Sequence, residues 1–285
     1  MKISNLIYSV DDSPIYMAYW PQVHRVNQHF GNHDILYWAT ATPKGTPFPY
    51  PVGDVVRVEC GEDVLGPIKK DPTQGGMVNH DMWSTPPRLI RFLAAAILPG
   101  VNYVSDMDVL PIKNHIPELE SRLTNADILL SCANPARFGA HGAVLSSQLL
   151  RNIYTNAGVP CSLDHPESFI KGILALPRPP KTPNWCMDEI ALTYAIPLYE
   201  TSHAINIDSY GVLYDLHQSG DPGFIPVGLN SELNEGRRKL LASDSLFNQI
   251  QEILYAEDSP WKEIHIHMDE EGIFTKRVAD AACGI

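Results

Sequence analysis

The stretch from Pro86 to Ile112 constrains the fold of this chain most. Its first part, "PPRLIRFLAAAILPG", opens on proline and closes on Pro99-Gly100. Proline fits the first helical turn, where its missing N–H is not needed, and a Pro-Gly pair does not continue a helix. An apolar, strand-like run, "VNYVSDMDVL", follows directly. The flanking chain alternates in the same way. Apolar runs at 3–10, 34–40, 54–60 and 126–132 read as strands, while 15–30, 115–124 and 142–154 carry helical spacing. Pro21 is expected to delay or kink the first of those helices. Strands alternating with helices predict an α/β fold with a mixed, mainly parallel sheet flanked by helices. Such sheets bind ligands beyond the carboxyl ends of their strands.

The 285 residues suffice for one large domain with an appended piece. We expect a ligand-binding and catalytic domain over 1–230 and a helical C-terminal extension over 231–285 packed on it. In the extension, Leu240, Phe247, Ile250 and Leu254 form one apolar stripe. The opposite face lacks the Lys and Arg of a membrane-surface helix. The polar segment 66–87, rich in Gly and Pro, is long for a plain connection and reads as a lid over a site. A net charge of -12 argues against nucleic-acid partners, which need basic surface. The five cysteines are widely spaced and form no C-x-x-C, so free thiols are expected. No apolar stretch reaches the roughly 18 residues of a transmembrane segment. "MKISNLIYSVDDSP" turns acidic too early for a signal peptide, so the reading is cytoplasmic.

Within "NYVSDMDVLPI", Asp106 and Asp108 interrupt an apolar run. Burying two like charges is costly without a positive partner. In an extended segment residues i and i+2 point the same way, so both carboxylates aim at one place if the strand continues to Asp108. That pair suits a hard divalent cation, Mn²⁺ or Mg²⁺. A solvated turn before Pro111 is the plainer alternative.

"RLIRFLAAAILPGVNYVSDMDVL" resembles the Arg-bearing helix, Leu-Pro stop and DxD strand of GT-A-fold glycosyltransferases, in particular the glycogenin/galactosyltransferase-like, family 8-like group. "NLIYSVDDSPIYMAYW" with "HDILYWAT" resembles that group's first strand, Asp-Asp loop and second strand. "NWCMDEIALTYA" resembles its acceptor-side helix start. The resemblance covers about residues 3–200. It implies a GT-A-type Rossmann-like sheet and metal-dependent transfer of a hexosyl or pentosyl group. The donor is a nucleoside-diphosphate sugar, with UDP favoured, and the acceptor a glycan, glycoprotein or other hydroxyl compound.

The resemblance also implies roles for single residues. Asp11 and Asp12 lie under the nucleoside, although Asp12 or Ser13 would equally cap a helix. Arg91 reaches the diphosphate or clamps a site carboxylate, as Arg does well; Arg88 reads as a surface residue. His267 is expected as third metal ligand, with His217 as rival and His265 on the same face as His267 in an extended segment. Asp188 and Glu189 bind the acceptor hydroxyl or act as base, or else favour a helix N-terminus. His141 and Gly142 contact the donor sugar or cap a helix. Trp185 stacks on an acceptor ring or belongs to the core.

Three other classes are alternatives. A nucleotidyltransferase acting on sugar phosphates would carry a Gly-rich, basic loop after the first strand, and "YSVDDSPIY" has none. A haloacid-dehalogenase-type phosphatase would place the acidic motif after its first strand. A non-catalytic carbohydrate-binding protein would bind sugars without cleaving a donor.

Overall fold

The computed structural model describes residues 1–61, 85–131, 133–134, 137–138, 142–177, 187–210, 213–215, 243–266 and 272–285. In its first strand, β1 (Ile3–Val10), Leu6, Tyr8 and Val10 face one apolar layer and Ile7 faces the other. The strand β2 (Asp34–Thr40) divides likewise, Leu36 and Trp38 to the first layer and Ile35, Tyr37 and Ala39 to the second. Both faces are covered, so these strands read as continuous apolar runs rather than alternating ones. The helix α1 (Pro14–His29), which runs through Pro21, covers the first face with Tyr19, Trp20, Val23 and Val26. The helix α2 (Thr85–Ile97) covers the second with Leu89, Ile90, Phe92 and Leu93.

Among the described residues, the remaining strands are β3 (Asp54–Glu59), β4 (Val101–Ser105), β5 (Val109–Pro111), β6 (Ile128–Leu130), β7 (Ala133–Asn134), β8 (Arg137–Phe138), β9 (Gly142–Ser146), β10 (Ile207–Ser209), β11 (Leu213–Asp215) and β12 (Glu263–His265). The other helices among the described residues are α3 (Ile116–Arg122), α4 (Ser147–Asn156), α5 (Pro166–Leu174), α6 (Met187–Glu200), α7 (Asp244–Tyr255) and α8 (Ile273–Ala282). Seven strands form the main sheet in the order β10-β6-β9-β4-β1-β2-β3. All neighbours are parallel except where β9 runs against β4 and β6. The expected mixed, mainly parallel α/β sheet flanked by helices is therefore present.

From β1 the chain winds outward through β2 and β3, then returns to place β4 on the other side of β1. This reversal opens a crevice between the carboxyl ends of β1 and β4, where such sheets take their ligands. A three-stranded sheet, β11-β12-β5, stands beside it, with β12 parallel to β11 and antiparallel to β5. In the C-terminal part, Phe247, Ile250, Leu254, Phe274 and Val278 share one buried cluster with Leu6, Trp20 and Leu110. Leu240 lies outside the described residues. No helix among the described residues is long and apolar enough to cross a membrane.

The segment 142–154 corrects the helical expectation. Gly142–Ser146 is an interior strand, and the helix begins only at Ser147. Ala143 and Leu145 enter one layer and Val144 the other, a two-sided burial that mimics helical spacing over so short a run. Ser146 then caps α4, its hydroxyl accepting from the Leu149 N–H at 3.2 Å.

Candidate active site

The crevice at the reversal is lined by Ser9, Val10, Asp11, Tyr16, Arg88, Arg91, Asp106, Met107 and Asp108. It encloses about 370 Å³ of empty space, part of it open to solvent. Asp11 enters from the end of β1, Asp106 from the end of β4, and both arginines from α2. Sequence distance is thus converted into proximity by the parallel pairing of β1 with β4.

The acidic pair does not continue the strand. β4 ends at Ser105, and the chain turns, with the Val109 N–H donating to the Asp106 carbonyl at 3.2 Å. The shared direction expected of an extended segment is replaced by two different partnerships. One Arg91 nitrogen donates to the Asp106 carboxylate and, at 3.3 Å, to the Ser105 carbonyl. Asp108 instead meets the His265 Nε2 at 3.2 Å. Each aspartate is only 5% exposed, so these positive or proton-bearing groups offset the burial of charge.

The other Arg91 nitrogen donates to Asp188 at 2.9 Å. Arg91 thus bridges two buried carboxylates. Asp188, in the first turn of α6, is 2% exposed and held in that ion pair. Glu189 lies in the same turn.

Arg88, expected at the surface, lines the crevice instead. Burial works against its charge, but Asp106 and Asp188, then Tyr16 and Asp108, more than offset this and raise its pKa. The cation is therefore retained. Asp11 shows the opposite balance. Burial, opposed by the Ser13 N–H at 2.9 Å and reinforced by Asp12, pushes its carboxyl up to about 6.

Asp12 turns elsewhere. It accepts from the Trp38 indole at 2.8 Å and from the Thr40 hydroxyl at 2.7 Å, tying the loop after β1 to the end of β2. Neither it nor Ser13 gives α1 a side-chain cap. Gly142 lies in β9, paired with Ser105 immediately before the acidic turn. A Cβ there would collide with the Tyr210 hydroxyl and come within 3.2 Å of that of Tyr103, which accounts for a glycine at this point. His141, Trp185, His217, His267 and residues 66–84 lie outside the described residues.

Sequence reasoning missed Arg88, Tyr16 and the contact of His265 with Asp108. Arg88 and Arg91 are one helical turn apart, a spacing that puts both on one face of α2. The pairing of β12 with β5, by contrast, left no local signal.

The donor types fit a hard divalent cation: two carboxylates on one turn with an imidazole against one of them. Among the described residues, no three His, Cys, Asp or Glu side chains already stand together as a metal-holding group. A cation would compete with Arg91 for Asp106.

No protein-family model matches the chain, and no curated protein matches it. Among solved structures it is similar to the galactosyltransferase LgtC in complex with donor and acceptor sugar analogs, with 10% identity over 99% of this chain and 96% of that one and a TM-score of 0.43. An active-site mutant of LgtC aligns with 11% identity over 98% and 95% of the two chains and a TM-score of 0.43. The glycosyltransferase GlyE of Streptococcus pneumoniae TIGR4 aligns with 9% identity and a TM-score of 0.45, covering 99% of this chain but 60% of its own.

Proposed function

We propose that this chain is a metal-dependent glycosyltransferase of GT-A type, moving a hexosyl or pentosyl group from a nucleoside-diphosphate sugar, UDP-linked by preference, to a hydroxyl acceptor. The observation that carries the reading is the buried Asp106–Asp108 turn at the β1/β4 reversal, with Arg88 and Arg91 beside it. Residues 1–230 form the catalytic domain in this reading and 231–285 its extension. A cytoplasmic setting is in keeping with the thiols of Cys60, Cys161 and Cys283, which are free.

Asp106, Asp108 and His265 would hold Mn²⁺ or Mg²⁺; His265 is chosen because, among the described residues, its ring lies against Asp108, and His267, outside them, keeps its assignment as third ligand. The bound ion supplies Lewis-acid stabilisation of charge on the departing diphosphate. Arg88 contributes a fixed positive charge in the same crevice, suited to phosphate oxygens. Arg91 orients Asp106 and Asp188 rather than reaching the donor. Asp11 accepts from a ribose hydroxyl or base N–H, a partner that would lower its raised pKa. Asp12 shapes that loop through Trp38 and Thr40. Glu189 and His141 remain assigned to the acceptor and donor sugars.

Isothermal titration with UDP-, GDP-, TDP- and CMP-sugars, with and without Mn²⁺, tests the proposal together with transfer or hydrolysis of the donor. Metal-dependent binding of one sugar nucleotide is the expected result. Equal binding of all, or of none, with metal present would remove it.

A further inference from the structure

Glu263 is a carboxylate with 2% exposure, on the strand that also carries His265. The Tyr103 hydroxyl, from β4, donates to it. The His115 Nε2, from the loop before α3, lies 3.2 Å from the same oxygen. His115 is itself oriented by its Nδ1, 3.2 Å from the Lys113 carbonyl. Tyr210 extends the chain, its hydroxyl donating to that of Tyr103 at 3.5 Å. A buried charge in so short a strand calls for a reason, because well-packed apolar residues would serve stability as well or better.

The reason lies in register. β12 has three residues, and only Ile264 and the following Ile266 bury apolar side chains from it. Such a strand is weakly specified by hydrophobic pattern, yet a slip of one residue would turn His265 to the other face. Glu263 pairs opposite Pro111 and His265 opposite Val109, two positions apart, so both side chains leave the strand on one side. Anchoring the first sets the second. The backbone bond from the Ile266 N–H to the Asp108 carbonyl, at 2.7 Å, closes the same register beside the acidic turn.

We propose that Glu263 is a positioning residue, held by Tyr103 and His115, that sets the register of β12 and so keeps the His265 imidazole against Asp108. The role of that contact in binding a cation rests on the function proposed above; the positioning itself does not. Substitution of a group that orients a metal ligand through its support typically weakens metal binding about tenfold or more.

The test uses the full chain labelled with ¹⁵N-histidine and free of metal. Ring nitrogen signals of His265 are compared in the wild type, Glu263→Gln, Tyr103→Phe and Asp108→Asn, the last marking the lost contact. Asp34→Asn, which disturbs a buried tie between α1 and β2, controls for general destabilisation. We expect Glu263→Gln, and to a smaller extent Tyr103→Phe, to move the His265 signals toward those of Asp108→Asn. Mn²⁺ binding, followed by electron paramagnetic resonance, should weaken about tenfold in Glu263→Gln. Asp34→Asn should leave both readings in place. His265 signals at their wild-type positions in both Tyr103→Phe and Glu263→Gln would overturn the proposal. A wild-type chain that binds no Mn²⁺ would instead sink the metal reading, and the nitrogen signals would still decide the positioning.

Discussion

Arg91 donates to Asp106 with one guanidinium nitrogen and to Asp188, 2.9 Å away, with the other. One buried cation thereby joins α2, the end of β4 and the start of α6. The planar guanidinium holds both carboxylates at once, which a lysine ammonium does less well.

Removing Arg91 should leave two buried carboxylates without that cation. Arg91→Ala is expected to cost about 3–5 kcal/mol in urea unfolding, the range for breaking a buried pair from one side. Arg91→Lys should recover part of the stability but not the orientation of both acids. Equal stability of Arg91→Ala and the wild type would show that the clamp contributes nothing.

Replacing the acidic pair should separate binding from folding. Asp106→Asn and Asp108→Asn are each expected to abolish Mn²⁺-dependent nucleotide binding in isothermal titration. The stability of Asp108→Asn should differ from that of the wild type by less than about 1 kcal/mol, since the amide keeps the shape and the lost contact with His265 is offset by removing one of two neighbouring like charges. Unchanged Mn²⁺-dependent binding in both variants would exclude these residues as ligands.

Asp11 should cost stability at neutral pH. Its folded carboxyl, pushed up to about 6, holds a proton that the unfolded one releases near 4. Its stabilising effect is thus complete below about pH 4 and is lost as pH rises through about 6. Asp11→Asn retains an acceptor for the Ser13 N–H. It should be more stable than the wild type at pH 7.5 by at most about 3 kcal/mol, from 1.36 kcal/mol per pH unit, and no more stable at pH 4. Thermal unfolding at the two pH values measures this, and a pH-independent difference would refute it.

The His115–Glu263 pair should act with the same sign at higher pH. Burial opposes the His115 charge, but Glu263 and the hydrogen bonds around the ring outweigh it and raise the pKa above its ordinary value. That contribution is complete below the ordinary histidine range near 6.5 and fades as pH climbs through the raised folded value. His115→Gln should therefore flatten the loss of stability expected as pH rises above about 6.5. Parallel profiles for variant and wild type would contradict the assignment.

Gly142→Ala should destabilise by about 1–3 kcal/mol, as overpacking does, because the added Cβ meets the Tyr210 hydroxyl. Gly142→Ala combined with Tyr210→Phe should recover much of the loss in urea unfolding. Failure of that rescue would place the cost elsewhere.

The alternation of apolar runs and punctuated helices was enough to specify the α/β class, since each element's burial is written into its own residues. Pro86 and Pro99 marked the limits of α2, and the apolar lead-in to Asp106 marked the strand that ends in the crevice. Local pattern also singled out the acids, because two carboxylates in an apolar run need partners. It did not say which partners. Arg91 and His265 reach Asp106 and Asp108 across 15 and 157 positions of sequence, and only the pairing of β12 with β5 and the packing of α2 on the sheet decide those contacts. The same limit explains Gly142, whose interior strand imitated a helix until β4 and β6 enclosed it, and Arg88, whose charge looked solvated until the crevice formed around it. Periodicity records how a segment meets its surroundings on average. Which side chain meets which is settled by sheet order, register and the turn at Asp106, all of them relations between segments that are distant in the chain.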